Sequence, residues 1–409
     1  MKKYLLCLVL MVGLLAACVA ELDPLQSSRM ENLARGAEEV EILAFGEMLF
    51  RQVLENGEAN AVISPLSVYY ALNMVALGAE GNTLAEFLQV LFADPLYQAA
   101  ELARITQLLT GTSGNTTVNI AGSVWLHHLY TIDEDFNTAM IRYFGAPAHS
   151  RDFLDHATVA EVNAWVYQNT EGLIPEIIEG FDPLDVMLLV NALYFKAKWP
   201  TSWGPLTVSQ QDFTPQNGQL VTVDFLTSYR TGSFDLAVTD RYEAVLMPYD
   251  CGQFGFLLVR PTDGTNIRDF FNEFYGISTL RQQFTRRNAI VSMPRLDLEY
   301  EITLNNVLQA IGLVDAFCGD AANFSGLINE DVNDLHISEV LHKVRLIVGE
   351  EGTEAAAVTS IRVSAMSGIY PPPIRLTFDT PYIYAIICLE TNIPLFIGVV
   401  DNPGIQNPA

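Results

Sequence analysis

Few side chains in this 409-residue chain are spaced for catalysis. Ser64 stands directly before Pro65, and the positions around Ser67 are apolar, which places both serines in a core rather than a cleft. His342 lies far from them in sequence. A serine and a histidine can make a nucleophile and its base, but the chain has no GxSxG elbow, HExxH pair or P-loop. His127, His128, His149 and His156 show no metal-ligand spacing and read as ordinary surface or core histidines, so neither a metal nor a cofactor is expected. The cysteines are Cys7, Cys18, Cys251, Cys318 and Cys388. The last three are widely spaced and form no CxxC, which argues against a disulfide framework or a zinc site. Cys388, inside the apolar run Ile383–Leu389, reads as a small buried hydrophobe.

Chemistry of another kind is offered by Gly349–Ser367, GEEGTEAAAVTSIRVSAMS. From Thr353, alternate residues are Thr353, Ala355, Ala357, Thr359, Ile361, Val363 and Ala365, none charged. The other register holds Glu354, Ala356, Val358, Ser360, Arg362, Ser364 and Met366, and both charges fall in it. Period-two segregation marks a strand with one buried face. Ala, Ser and Gly are nevertheless poor strand formers, and Glu350, Glu351 and Gly352 lead in like a loop. The stretch can become a strand without insisting on it, as a conformational switch requires.

The elements that must position this stretch are of mixed type. Glu38–Leu54 has helical spacing through Ile42, Phe45, Leu49 and Val53. Val62-Ile63 is a short strand before Pro65, and Ser67–Gly78 is a helix apolar nearly all round, hence deeply buried. Thr83–Leu91 and Ala157–Thr170 read as helices, and Glu134–Phe144 is amphipathic. Thr117–Leu126 alternates as a strand, and Val186–Phe195 is the apolar run of a strand covered on both faces. Short β runs follow at Phe234–Val238, Tyr242–Pro248, Phe254–Val259, Ala289–Pro294 and Leu296–Tyr300. Leu304–Ile311 is a helix, and Leu335–Leu346 is helix-to-strand material. Ile374–Phe378, Tyr382–Leu389 and Leu395–Val400 complete an α+β pattern that no repeat or low-complexity linker divides.

Hydrophobic residues make up 50 % of the chain, enough for a large core. The net charge is −26. Without residues 1–17, which carry two lysines and no acids, it becomes about −28. Binding to nucleic acid through charge is therefore not expected. Met1-Lys2-Lys3 and the apolar run Leu5–Leu15, ending Leu15-Ala16-Ala17-Cys18, resemble a bacterial lipoprotein signal over residues 1–17, with Cys18 lipidated and 18–33 a polar tether. The protein is expected to be exported and lipid-anchored at the cell envelope. Val19-Ala20 leans towards the outer membrane or cell surface.

Several long motifs, in order, resemble serpins: NAVISPLSVYYALNMVALGAEGNT (Asn60–Thr83), VNAWVYQNTEGLIPEII (Val162–Ile178), LLVNALYFKAKWPTSW (Leu188–Trp203), HKVRLIVGEEGTEAAAVTS (His342–Ser360) and FDTPYIYAIICLETNIPLFIGVVDNP (Phe378–Pro403). The resemblance spans residues 34–404 and implies a single domain of three β-sheets and eight to nine helices, with an exposed reactive loop at about 350–373. It implies a monomeric suicide-substrate inhibitor of serine proteases, with cysteine proteases as a second target class, rather than an enzyme. The alternative within the fold is a non-inhibitory binding protein.

Family spacing puts the reactive bond fourteen residues after the hinge glycine Gly352, at Met366–Ser367, and Phe378 falls in register without a gap. As an extended strand, Thr353–Met366 reaches roughly 46 Å at about 3.3 Å per residue. Met366 implies elastase-, chymotrypsin-, cathepsin G- or subtilisin-like targets. The hinge is Glu350, Gly352, Thr353, Glu354, Ala355, Ala356 and Ala357, whose small residues match inhibitory members. Ser64, Ser67, Asn191 and His342 match a buried hydrogen-bonded network where the sheet opens, Trp199 matches the tryptophan where the loop enters, and Arg295 and Glu350 match a family ion pair.

Overall fold

The computed structural model describes residues 41–57, 59–92, 94–203, 206–228, 232–273, 276–330, 334–353 and 372–405. Cys18 with its signal and tether, the hinge residues Glu354, Ala355, Ala356 and Ala357, and the bond between Met366 and Ser367 lie outside these residues.

The first described helix, α1 (41–55), buries Ile42, Phe45, Leu49 and Val53, the apolar face read from the sequence. Helix α2 (Pro65–Ala76) has all twelve residues buried. It starts two residues before the expected Ser67. Pro65 suits the first turn because its fixed φ is helical and its missing N–H has no partner to lose there. The Ser64 side chain accepts from the Ser67 N–H as N-cap. Burial all round follows from position: α2 packs between the strands Thr116–His127 and Met187–Lys198 of one sheet and Pro394–Val400 of the other. Each large apolar side chain so buried contributes about 1.5–3 kcal/mol.

The seven-stranded sheet holds the candidate site. Its main strands are β1 (Thr116–His127), β2 (Met187–Lys198), β3 (Leu296–Thr303), β4 (Glu339–Gly349) and the two-residue β5 (Gly352–Thr353). Across the sheet the order is β3, β4, β5, β2, β1, then Gly111–Ser113, with His149–Arg151 pairing beside β1. Strand β2 carries nine buried residues in succession because it is covered on both faces. The main core lies on one face. On the other lies helix α3 (His156–Asn169), N-capped by Asp155. Its Val162 and Val166 join Trp125, Leu188, Val190 and Leu341 in a separate cluster, so α3 lies across β1, β2 and β4.

The remaining strands form one ten-stranded ladder rather than two separate sheets. Thr285–Pro294 runs through both parts: Thr285 to Ala289 pair with Gly232–Val238, and Ser292 to Pro294 pair with Val221–Thr227. Two of the three expected sheets thus share one long strand. Among the described residues there are nine α-helices, counting α1, and none is long and apolar enough to cross a membrane.

Candidate functional site

The two central strands of the seven-stranded sheet are joined at both ends and parted between. At one end β4 and β2 pair directly and in parallel, from Glu339 opposite Leu188 to His342 opposite Asn191. At the other end β5 sits between them, with Thr353 opposite Val348 and Ala197 and Gly352 opposite Gly349 and Lys198. Among the described residues, 343–347 of β4 and 192–196 of β2 are not paired with each other. Where β5 sits, one strand separates β4 from β2, and it is the start of a strand.

The wedge is held by a set of specific contacts. The Trp199 backbone N–H donates to Glu351 O at 2.8 Å and the Leu206 N–H to Glu350 O at 2.9 Å. The Trp199 indole Nε1–H donates to Gly349 O at 3.0 Å. Three successive carbonyls of the turn are therefore satisfied by residues just past β2. Gly352 has φ +148°, and a Cβ there would stand 2.0 Å from Ala197 O, so only glycine fits. Thr353 is 1 % exposed. Its hydroxyl is hydrogen-bonded to Tyr249 Oη at 2.6 Å, and burial pushes the Tyr249 phenol well above its usual range. The Tyr249 ring stacks on Trp199, with centroids 4.7 Å apart.

At the closed end, Ser64, Ser67, Asn191 and His342 come together, each at most 1 % exposed. The Ser64 N–H donates to His342 Nε2 at 3.0 Å. That bond requires a lone pair on Nε2, so Nδ1 carries the proton and donates to Asn191 Oδ1 at 2.7 Å. Ser67 Oγ also donates to Asn191 Oδ1, at 2.9 Å, and approaches Ser64 O at 3.1 Å. The Asn191 Nδ2–H donates to Leu341 O at 3.2 Å. Both ring nitrogens of His342 are thus committed, and burial lowers its pKa to about 3, keeping it neutral. No serine hydroxyl is presented to a free base, and the network fastens α2, β2 and β4 to one another.

Trp199 belongs to the opposite end of β2 from this network, at the wedge. Arg295 Nε and Glu350 Oε2 stand 3.9 Å apart, a loose pair. A closer one, Lys198 with Glu351 at 3.3 Å, had no signal in the sequence beyond opposite charge. Tyr249 was equally hidden, because only the fold brings it to Thr353. Sequence spacing also missed a grouping elsewhere: ligand atoms of His127, His128 and Asp152 all lie within 4.8 Å of one another. The third member comes from the far side of a parallel strand pairing and not from a local motif.

Comparison with known proteins agrees with this architecture. The sequence profile of the family described as Serpin (serine protease inhibitor) matches residues 41–403. Human neuroserpin is 28 % identical over 398 residues, covering 92 % of this chain and 95 % of that protein. A serpin-like protein of Thermococcus kodakarensis is 29 % identical over 388 residues, covering 93 % and 89 %. Among solved structures, the thermophilic serpin tengpin in its native state is 30 % identical, with TM-score 0.80 over 88 % of this chain and 93 % of that one. Tengpin in its latent state gives 0.75. A profile match over nearly the whole described chain, with the same fold in a relative of 30 % identity, places this chain in the serpin family.

Proposed function

We propose that this chain is a suicide-substrate inhibitor of serine proteases with apolar specificity, of the elastase, chymotrypsin, cathepsin G or subtilisin type, and that Met366–Ser367 is its reactive bond. The observation that carries the reading is the seated wedge. Gly352 and Thr353 already sit as a strand between the two neighbours, and after Glu354 the sequence continues with Ala355, Ala356 and Ala357.

The target's nucleophile attacks the Met366 carbonyl, the Ser367 amine leaves with the C-terminal segment, and an acyl-enzyme remains on Met366. The freed loop extends β5. Pairing is antiparallel to both neighbours, so each further loop residue meets one earlier residue on β2 and on β4. Residues 354–358 would fill the parted segment. Thr359 would arrive opposite Asn191 and His342, and from there insertion must separate the parallel pairs Glu339 to His342 and Leu188 to Asn191. The buried network is thereby the latch that the second half of insertion opens.

A second reading is a non-inhibitory binding protein. It is favoured by the match in fold to thyroxine-binding globulin complexed with thyroxine, TM-score 0.78 at 22 % identity. Incubation with a panel of apolar-specific and basic-specific serine proteases separates the two. Inhibition gives an SDS-resistant complex and a released peptide beginning at Ser367. Digestion without complex, and no rise in melting temperature after cleavage, supports the binding protein. We also propose that the chain is exported and lipidated at Cys18. Labelled fatty acid should enter the wild type and not Cys18→Ala, and labelling of both would overturn the assignment.

A further inference from the structure

We propose that His127, His128 and Asp152 form a binding site for a divalent zinc-class cation that ties the seven-stranded sheet to the helix lying across it. The two histidines end β1 and begin the turn after it. Their backbones are fixed: the His127 N–H donates to Val186 O at 2.9 Å and the His128 N–H to Arg151 O at 2.7 Å. Parallel pairing of His127 with Arg151 brings the next residue, Asp152, alongside them. The three ligand atoms lie within 4.8 Å of one another.

His128 Nδ1 and Asp152 Oδ1 are 3.7 Å apart, too far for a hydrogen bond. Two ligands of a tetrahedral zinc ion, each at about 2.1 Å, stand about 3.4 Å apart, so small rotations complete the geometry. Two imidazoles and one carboxylate suit zinc and leave a fourth position for water. Both flanking side chains are about half exposed, which gives an ion access from solvent. The nearest cation, Arg151, is engaged with Glu161 through two hydrogen bonds of 2.6 Å, which offsets its charge. Two contacts compete: the Leu129 N–H on His127 Nδ1, at 3.3 Å, is long enough to be given up, and the Leu154 N–H on Asp152 Oδ1, at 3.0 Å, leaves further carboxylate lone pairs for an ion.

Place gives the site its consequence. Asp152 lies just before the Asp155 cap of α3, while His127 and His128 belong to the end of β1. α3 packs over Trp125, Leu188, Val190 and Leu341, on the strands whose parallel pairing holds the closed end. An ion at the site holds the lead-in of α3 to the sheet and resists its lifting. Binding stands on its own; the slowing of loop insertion that follows from it rests on the inhibitory reading.

The test is titration of the purified, tag-free protein with CoCl2, followed by ZnCl2 competition. One equivalent of Co2+ should give the visible absorption bands of a four-coordinate ion, displaced by Zn2+. His128→Asn and Asp152→Asn, both at exposed positions, should weaken affinity at least about tenfold, while the exposed His156→Gln binds as wild type. One equivalent of zinc should raise the melting temperature of wild type and His156→Gln but not of Asp152→Asn. No cobalt bands at millimolar metal, or equal binding by the Asp152→Asn and His128→Asn variants, overturns the site. Failure to trap any protease would instead overturn the inhibitory reading and leave the cobalt result standing.

Discussion

Under the proposed inhibitory function, replacing Thr353 with arginine should turn the chain from inhibitor into substrate while leaving the fold intact. Thr353 is 1 % exposed between two strands, with its hydroxyl on the buried Tyr249. A guanidinium there is a buried charge without a partner, costing several kcal/mol. The chain avoids that cost by withdrawing the hinge. It then loses the wedge's backbone hydrogen bonds, at about 1 kcal/mol each, and leaves Tyr249 unsatisfied at about 1–3 kcal/mol. Neither Gly352 nor Thr353 is a member of the hydrophobic core, so the loss is confined to the contacts at the wedge. After cleavage, insertion competes with hydrolysis of the acyl-enzyme, and every 1.4 kcal/mol added to the first insertion step slows it about tenfold. A penalty of about 3–4 kcal/mol therefore slows insertion a few hundredfold and lets hydrolysis win. Denaturing gels after incubation with an apolar-specific protease should show cleaved inhibitor in place of complex, with cleavage still after Met366. Thr353→Ser, which keeps the hydroxyl, should trap nearly as wild type. If Thr353→Arg forms as much complex as wild type, the seated hinge is not the start of insertion.

Gly352→Ala should also expel the wedge, because its Cβ would meet Ala197 O at 2.0 Å. Trp199, stacked on Tyr249 and bonded to Gly349 O, should report this as a shift in fluorescence. His342 is neutral when folded, with a pKa of about 3, but takes a proton near 6.5 when unfolded. Its contribution is complete above 6.5 and is lost as pH falls from there towards 3, at up to about 1.4 kcal/mol per pH unit. Urea unfolding at pH 7 and pH 5 should show this slope in wild type and a shallower one in His342→Asn. Asn191→Ala leaves the buried His342 Nδ1–H without its acceptor, while the Ser67 hydroxyl falls back on Ser64 O, so it should cost about 1–3 kcal/mol in urea unfolding. Oxidation of Met366 to the sulfoxide should reduce complex formation, and Met366→Leu should resist the same treatment.

The sequence showed the elements with strong periodicity and missed those whose reason is tertiary. Helix α1 and strand β2 were legible because burial on one face or both leaves a direct mark on residue choice. Pro95–Leu109 went unread, although Ala99, Leu102, Ile105 and Leu109 are fully or almost fully buried. Polar Gln98, also buried, blurs its apolar face. Leu335–Leu346 was ambiguous; the strand runs Glu339–Gly349, with an extended lead-in. The network residues Ser64, Ser67, Asn191 and His342 were found only through family resemblance, since nothing local marks a serine as bonded to a residue more than a hundred positions away. Tyr249 and Asp152 lay beyond even that: Tyr249 reaches Thr353 only where the two sheets meet, and Asp152 reaches the histidines only through strand pairing.

One consequence of the seated wedge concerns kinetics. A free loop has to find its slot, and that encounter carries a closure entropy before any hydrogen bond is gained. Here Thr353 is paired on both sides before any protease arrives. Under the proposed inhibitory mechanism, insertion would therefore begin as propagation from an existing nucleus, as a helix grows more easily than it starts. On the proposed mechanism the length of chain beyond Met366 matters little to such a process, since that segment would be severed before growth begins. What would set the pace is how readily each successive side chain, Glu354 and then Ala355 to Ala357, is accepted between β2 and β4.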